Sequence, residues 1–130
     1  MRVILDTHTF LWFCWDDPKL SEHAANTIRD TNNVKLISVA SCWEIAIKVS
    51  VGKLKLGEPY RNFIHSHMLI NDFDAITVNL NHLSVVAALP FHSNHRDPFD
   101  RLIIAQSQAE SLPVISCDAK FDQYDVERIW

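Results

Sequence analysis

Short apolar runs of strand length alternate along this chain with stretches whose apolar residues recur at helical spacing. Two of the runs share a design: Arg2-Val-Ile-Leu-Asp6 near the start and Pro113-Val-Ile-Ser-Cys-Asp118 near the end both finish on an aspartate. Parallel strands need long crossovers between them, so this alternation predicts an α/β fold with a parallel sheet covered on both faces. Between the two runs, Leu20, Ala24, Ala25 and Ile28 predict a helix behind a Ser21 cap, and Lys35 to Ser38 a strand. Ser41 to Val51 reads as a helix that is apolar almost all round, charged only at Glu44 and Lys48 and stopped by Gly52. A helix from Pro59 through Met68, a strand at Ala75 to Val78 and a helix at Leu80 to Leu89, ended by Pro90, continue the pattern. Asp97 caps a further helix to about Ser111 with Phe99, Leu102 and Ile103 on one side, and Val126 to Ile129 reads as a last, edge strand.

The chain has 130 residues, 48% of them hydrophobic, with no repeat or low-complexity stretch, so one domain over residues 1–130 is expected. Its longest apolar run, Phe10 to Trp15, falls well short of the roughly 20 residues that cross a bilayer, and it reads as core or interface. Asp6 interrupts the apolar start too early for an export signal, so a cytoplasmic location away from any membrane is expected. Cys14, Cys42 and Cys117 lack CxxC spacing and read as reduced thiols, with no structural zinc site. The formal charge of −4 argues against binding nucleic acid by simple phosphate neutralisation. That objection weakens if several acids surround bound cations, which reverse the local field.

Ligands of open parallel sheets bind beyond the carboxyl ends of the strands, where Asp6 and Asp118 are expected. The starts of the following helices can bring Glu44 and Asp100 to the same crevice. Two like charges about 4 Å apart repel by roughly 4 kcal/mol at an effective dielectric near 20, so converging acids need a positive partner. One or two Mg²⁺ or Mn²⁺ ions supply it, hold a phosphodiester and activate water. Other chemistries are excluded by composition: Gly52 and Gly57, the only glycines, open no phosphate-cradling loop, and G-x-S-x-G is absent.

Each of these residues also has a plainer reading. Asp6 can serve only as a turn former, and Ser41-Cys-Trp-Glu44 has capping-box spacing that would tie Glu44 to its own helix start. Asp97, before Pro98, is assigned the cap, which leaves Asp100 as the better ligand. His65 and His67 point to different sides of a helix, and His92 with His95 lacks the cysteines of a soft-metal loop. His8 can either position substrate or pack above the site. Trp12, Trp43, Trp130, Phe10 and Phe13 read as core or subunit interface, and Lys48, Lys53, Lys55, Arg61, Arg96 and Arg101 fit a phosphate track and a solvated surface equally well.

Four segments together carry a family resemblance. Leu5-Asp6-Thr7-His8 with Leu11-Trp12, Ser41-x-Trp43-Glu44-Ile45 with Lys48 and Gly52-Lys53-Leu54, His95-Arg96-Asp97-Pro98-Phe99-Asp100-Arg101-Leu102, and Ser116-x-Asp118-x-x-Phe121 occur in order, nearly end to end. The chain thereby resembles the PIN-domain ribonucleases, specifically the VapC-like toxins of bacterial toxin–antitoxin pairs. That resemblance implies a three-layer α/β/α sandwich with a parallel sheet of four or five strands in the order 3-2-1-4-5. It also implies a homodimer, Mg²⁺ or Mn²⁺ dependence, endonucleolytic cutting of RNA and a cognate antitoxin that blocks the site. Its acidic quartet falls on Asp6, Glu44, Asp100 and Asp118, as catalytic and metal-binding residues, with Asp97 as a fifth acid and Thr7 and Ser116 as supporting polar groups. Ser116 stands where threonine is frequent in the motif, a change that keeps the hydroxyl.

Two rival readings use the same acids. A HAD-type phosphatase also begins with a strand ending in Asp, but it wants a second Asp two positions on, where this chain has His8. A non-catalytic, receiver-like signalling module would use the acids only to bind a regulatory cation.

Overall fold

Val3, Ile4 and Leu5 are all fully buried, as in a strand covered on both faces. They form β1 (Arg2–Leu5), the centre of a parallel sheet with β2 (Val34–Ser38), β3 (Phe73–Ile76), β4 (Val114–Ile115) and β5 (Arg128–Ile129). The computed structural model describes residues 1–130. Its five strands run in the order β3-β2-β1-β4-β5, as the family resemblance implied.

Side chains alternate across a strand, so each central strand feeds two cores. Val3, Leu5, Ile37 and Ile115 join one core with Phe10, Ile28, Ile45, Phe63 and Phe73. Ile4, Leu36 and Val114 join the other with Ile103, Ile104 and Phe121. The first core is closed by α1 (Thr7–Cys14), α2 (Glu22–Arg29), α3 (Val39–Ser50) and α4 (Tyr60–Ile70), the second by α5 (Leu80–Ala88) and α6 (Pro98–Glu110). Full burial of each Ile or Leu is worth roughly 1.5–3 kcal/mol, so this alternation is a large part of what holds the three layers together. No helix is long and apolar enough to cross a membrane.

Three elements depart from the sequence reading. The apolar run Phe10 to Trp15, read above only as core or interface, lies mostly in α1, which starts at Thr7 because Asp6 caps its first turn and Phe10 and Leu11 bury against the sheet. Its threonines and aromatics are weak helix formers, so packing rather than propensity holds it. β3 lies at Phe73–Ile76 instead of Ala75 to Val78, because the ring of Phe73 anchors in the core 5.7 Å from that of Phe10. Its neighbour Asp74 is exposed, which an edge strand tolerates. The helix expected from Ser41 starts earlier, capped by Ser38, whose hydroxyl accepts from the Ala40 amide at 3.1 Å.

The register of the strands prepares the site. Leu5 pairs with Ile37 on one side and Ile115 on the other. The residues that follow, Asp6, Ser38 and Ser116, therefore leave the sheet level with one another at its carboxyl edge.

Candidate functional site

Asp6 is 3% exposed and caps α1, its Oδ1 accepting the Thr9 amide at 2.9 Å. The Thr9 hydroxyl donates to the Ile115 carbonyl at 3.0 Å and so ties the cap to β4. Burial pushes the Asp6 carboxyl above its ordinary range, against the opposing pull of hydroxyl contacts from Ser116 and Thr9. Ser116 also accepts the Asp118 amide at 3.1 Å, so one buried hydroxyl serves both aspartates. Its carbonyl is held by Arg128, which is locked in turn by a two-point pairing with Asp122. Asp118 is half-exposed and caps the 3₁₀ turn Ala119–Gln123 through the Lys120 amide.

Thr7 donates to Ser41 at 3.0 Å, fastening the start of α1 to α3. One turn further along α3, Glu44 is 6% exposed, with Oε2 3.0 Å from Lys48 Nζ and Oε1 without any hydrogen-bond partner. Capping by Ser38 leaves Ser41 inside the helix, so the capping-box reading of Glu44 does not hold. Asp97 does cap α6, accepting from the amides of Phe99 and Asp100. Asp100 is driven up to about 8, first by its own burial and then by Asp97, Asp6, Glu44 and Asp118. Asp6 after β1, Glu44 in α3, Asp97 and Asp100 at the start of α6 and Asp118 after β4 thus act on one another in one field.

His95 is the residue that sequence reasoning missed. It was paired above with His92 as a weak soft-metal loop, but its ring turns into the acid cluster. It is 4% exposed, with Nε2 3.5 Å from Asp100 Oδ2 and 3.8 Å from Asp118 Oδ2. Burial holds its pKa below the ordinary value, against the attraction of Asp118 and Asp97. A signal was present in His95-x-x-x-x-Asp100, though nothing in that spacing shows which way a loop side chain turns.

The donor set is hard oxygen with one imidazole, and the ligand atoms of His95, Asp100 and Asp118 lie within 4.8 Å of one another. Lys48 is the one lysine paired with these acids, and Arg101 is spent on the Pro90 carbonyl and the Tyr124 hydroxyl. Together with the unpartnered Glu44 Oε1, this set fits a divalent cation such as Mg²⁺ or Mn²⁺.

The PIN domain model matches residues 3–127. Among solved structures, a chain of VapBC2 from Rickettsia felis, bound to a promoter DNA fragment, superposes with a TM-score of 0.74 at 16% identity, covering 98% of this chain and 97% of that one. DNA-bound VapBC from Salmonella typhimurium matches with a TM-score of 0.71 at 17% identity, over 98% and 96%. VapBC-5 from Mycobacterium tuberculosis, of the VapBC family of toxin–antitoxin systems, matches with a TM-score of 0.63 at 20% identity, over 98% and 97%. No curated protein sequence matches the chain.

Proposed function

The chain belongs to the PIN-domain family and has the fold of its VapC-like toxins, and from that premise we propose that it is a divalent-cation-dependent endoribonuclease, the toxin of a toxin–antitoxin pair. The observation that carries this reading is the acid cluster. Asp100 is raised to about 8 in a pocket where Glu44 Oε1 is buried and unpaired, an arrangement costly to the fold unless a cation occupies it.

Asp6, Glu44, Asp100 and Asp118 would hold the ion or ions, with Asp97 adding charge at the rim. When bound, Mg²⁺ or Mn²⁺ supplies counter-charge for phosphate oxygens and lowers the pKa of water. The protein's own part is positioning. Ser116 fixes Asp6 relative to Asp118, the Thr7–Ser41 bond fixes α1 relative to α3, and Lys48 orients one oxygen of Glu44. Lys48, 38% exposed in its side chain, is also able to meet an incoming phosphate.

The same reading gives the chain an antitoxin partner, as the VapBC pairing of the matched structures suggests, and a second copy of itself. Support for self-association is the apolar groove lined by Trp43, Leu83, Val86, Pro98, Phe99 and Leu102, in which Trp43 is 61% exposed. Trp43 and Phe99 adjoin Glu44 and Asp100 in sequence, so pairing here would bring two acid clusters towards each other.

Purified protein, twice the chain's mass by light scattering, is expected to cut RNA internally with Mn²⁺ or Mg²⁺ and to stop in excess chelator. Undiminished cleavage in chelator would reject the cation mechanism. Tight cation binding with no cleavage of any RNA would favour a regulatory module instead.

A further inference from the structure

His95 Nε2 is buried and has no hydrogen-bond partner, although two carboxylate oxygens face it. Its separations from them, 3.5 and 3.8 Å, are too long for N–H···O bonds, which run at roughly 2.7–3.2 Å. They suit a different relation. Ligands about 2.0–2.2 Å from a divalent ion stand roughly 3 Å apart when adjacent and roughly 4.2 Å apart when opposite. The three donors, from the loop before α6, from α6 and from the turn after β4, all lie within 4.8 Å of one another, around a point between them.

The other ring nitrogen is already fixed. Nδ1 lies 2.8 Å from the Tyr124 hydroxyl, and the same oxygen accepts from Arg101 at 3.2 Å. The ring is further boxed edge-on by Phe121 and Tyr124. With the Tyr124 oxygen accepting from Nδ1–H as well, the lone pair rests on Nε2, the outer-partner arrangement usual for histidines that ligate metals.

We propose that His95 is a nitrogen ligand of the cation site, alongside Asp100 and Asp118, and that it biases the site towards transition-metal dications over Mg²⁺. The inference rests on the acid cluster being a cation site, as read above. It adds the donor that decides which cation is kept. Mg²⁺ takes carboxylates and water in preference to imidazole, whereas nitrogen donors suit the first-row transition ions.

The test uses the intact chain and the metals alone. Electron spin-echo envelope modulation of the Mn²⁺-loaded protein is expected to show directly bonded ¹⁴N, lost in His95→Gln and kept in His8→Gln. By calorimetry, His95→Gln is expected to weaken Mn²⁺ binding by at least about tenfold and Mg²⁺ binding by less than about threefold. Absence of nitrogen coupling in the wild type, or equal weakening for both ions, overturns the proposal. The wild-type spectrum decides even if the variant fails to fold. If Mn²⁺ binds without nitrogen coupling and Asp118→Asn abolishes that binding, the ring is not a ligand but the cation site stands. If neither ion binds the wild type, both readings fall together.

Discussion

His82 and His95 are both buried, at 1% and 4% exposure, yet their rings are used differently. His82 sits between α5 and α6 with both nitrogens engaged: Nδ1 accepts the Asn79 amide at 3.2 Å, so Nε2 carries the proton and meets Glu110 Oε1 at 2.9 Å. Asn79 returns a bond to the His82 amide, closing a capping box at the start of α5. That polar group is satisfied from within the fold, as buried groups generally are. His95 has one nitrogen held by Tyr124 and the other facing two carboxylates at distances that no direct hydrogen bond explains. A ring with both nitrogens engaged stabilises the fold, whereas one left open costs stability until something from outside completes it. This difference marks the carboxyl edge of the sheet, rather than the ring of His82, as the place where a bound group would complete the bonding.

Exchanging damage between the two regions sharpens the contrast most. Asp118→Asn is expected to lower RNA cleavage by at least about a hundredfold while leaving urea stability nearly unchanged. His82→Ala should do the reverse, costing about 1–3 kcal/mol in urea unfolding while the folded protein keeps the wild type's cleavage rate. Loss of cleavage in the folded His82 variant would erase the distinction.

A smaller effect concerns pH. The Asp100 carboxyl ionises near 3.8 when unfolded and at about 8 in the fold, so between these values the folded state binds the extra proton. Stability of the cation-free protein therefore falls as pH rises across that window. Asp100→Asn removes the slope, and its melting temperature at pH 8 in chelator is expected to exceed the wild type's by roughly 3–6 °C. A variant that melts below the wild type there would show that the acid is already compensated within the chain.

The parts of this picture that were legible in the sequence are those carried by a local pattern. Val3 to Asp6 and Val114 to Asp118 announce buried strands that end in acids, and Asp97-Pro98 announces a helix start that does cap through Asp97. Where one pattern fits two structures, reading by spacing failed. The last five residues of α1, Phe10 to Cys14, are all apolar and hide its helical period, and Ser41-x-x-Glu44 imitates a capping box while the cap is Ser38. Phe73 lay just outside the expected third strand because Asp74 interrupts the apolar run, and only contact with Phe10 reveals the ring as a core anchor. His95 is out of reach for a further reason. Two of its partners, Tyr124 and Asp118, lie far along the chain, and Tyr124 comes near as it and Phe121 pack with α6 in the second core.

Diffraction from crystals soaked in Mn²⁺ asks whether acids from separate parts of the chain share a bound cation. An anomalous peak is expected among Asp6, Asp100 and Asp118, within about 2.5 Å of at least two of their carboxylate oxygens. Saturating Mn²⁺ that leaves this pocket without a peak, or that binds only elsewhere on the chain, would contradict the account.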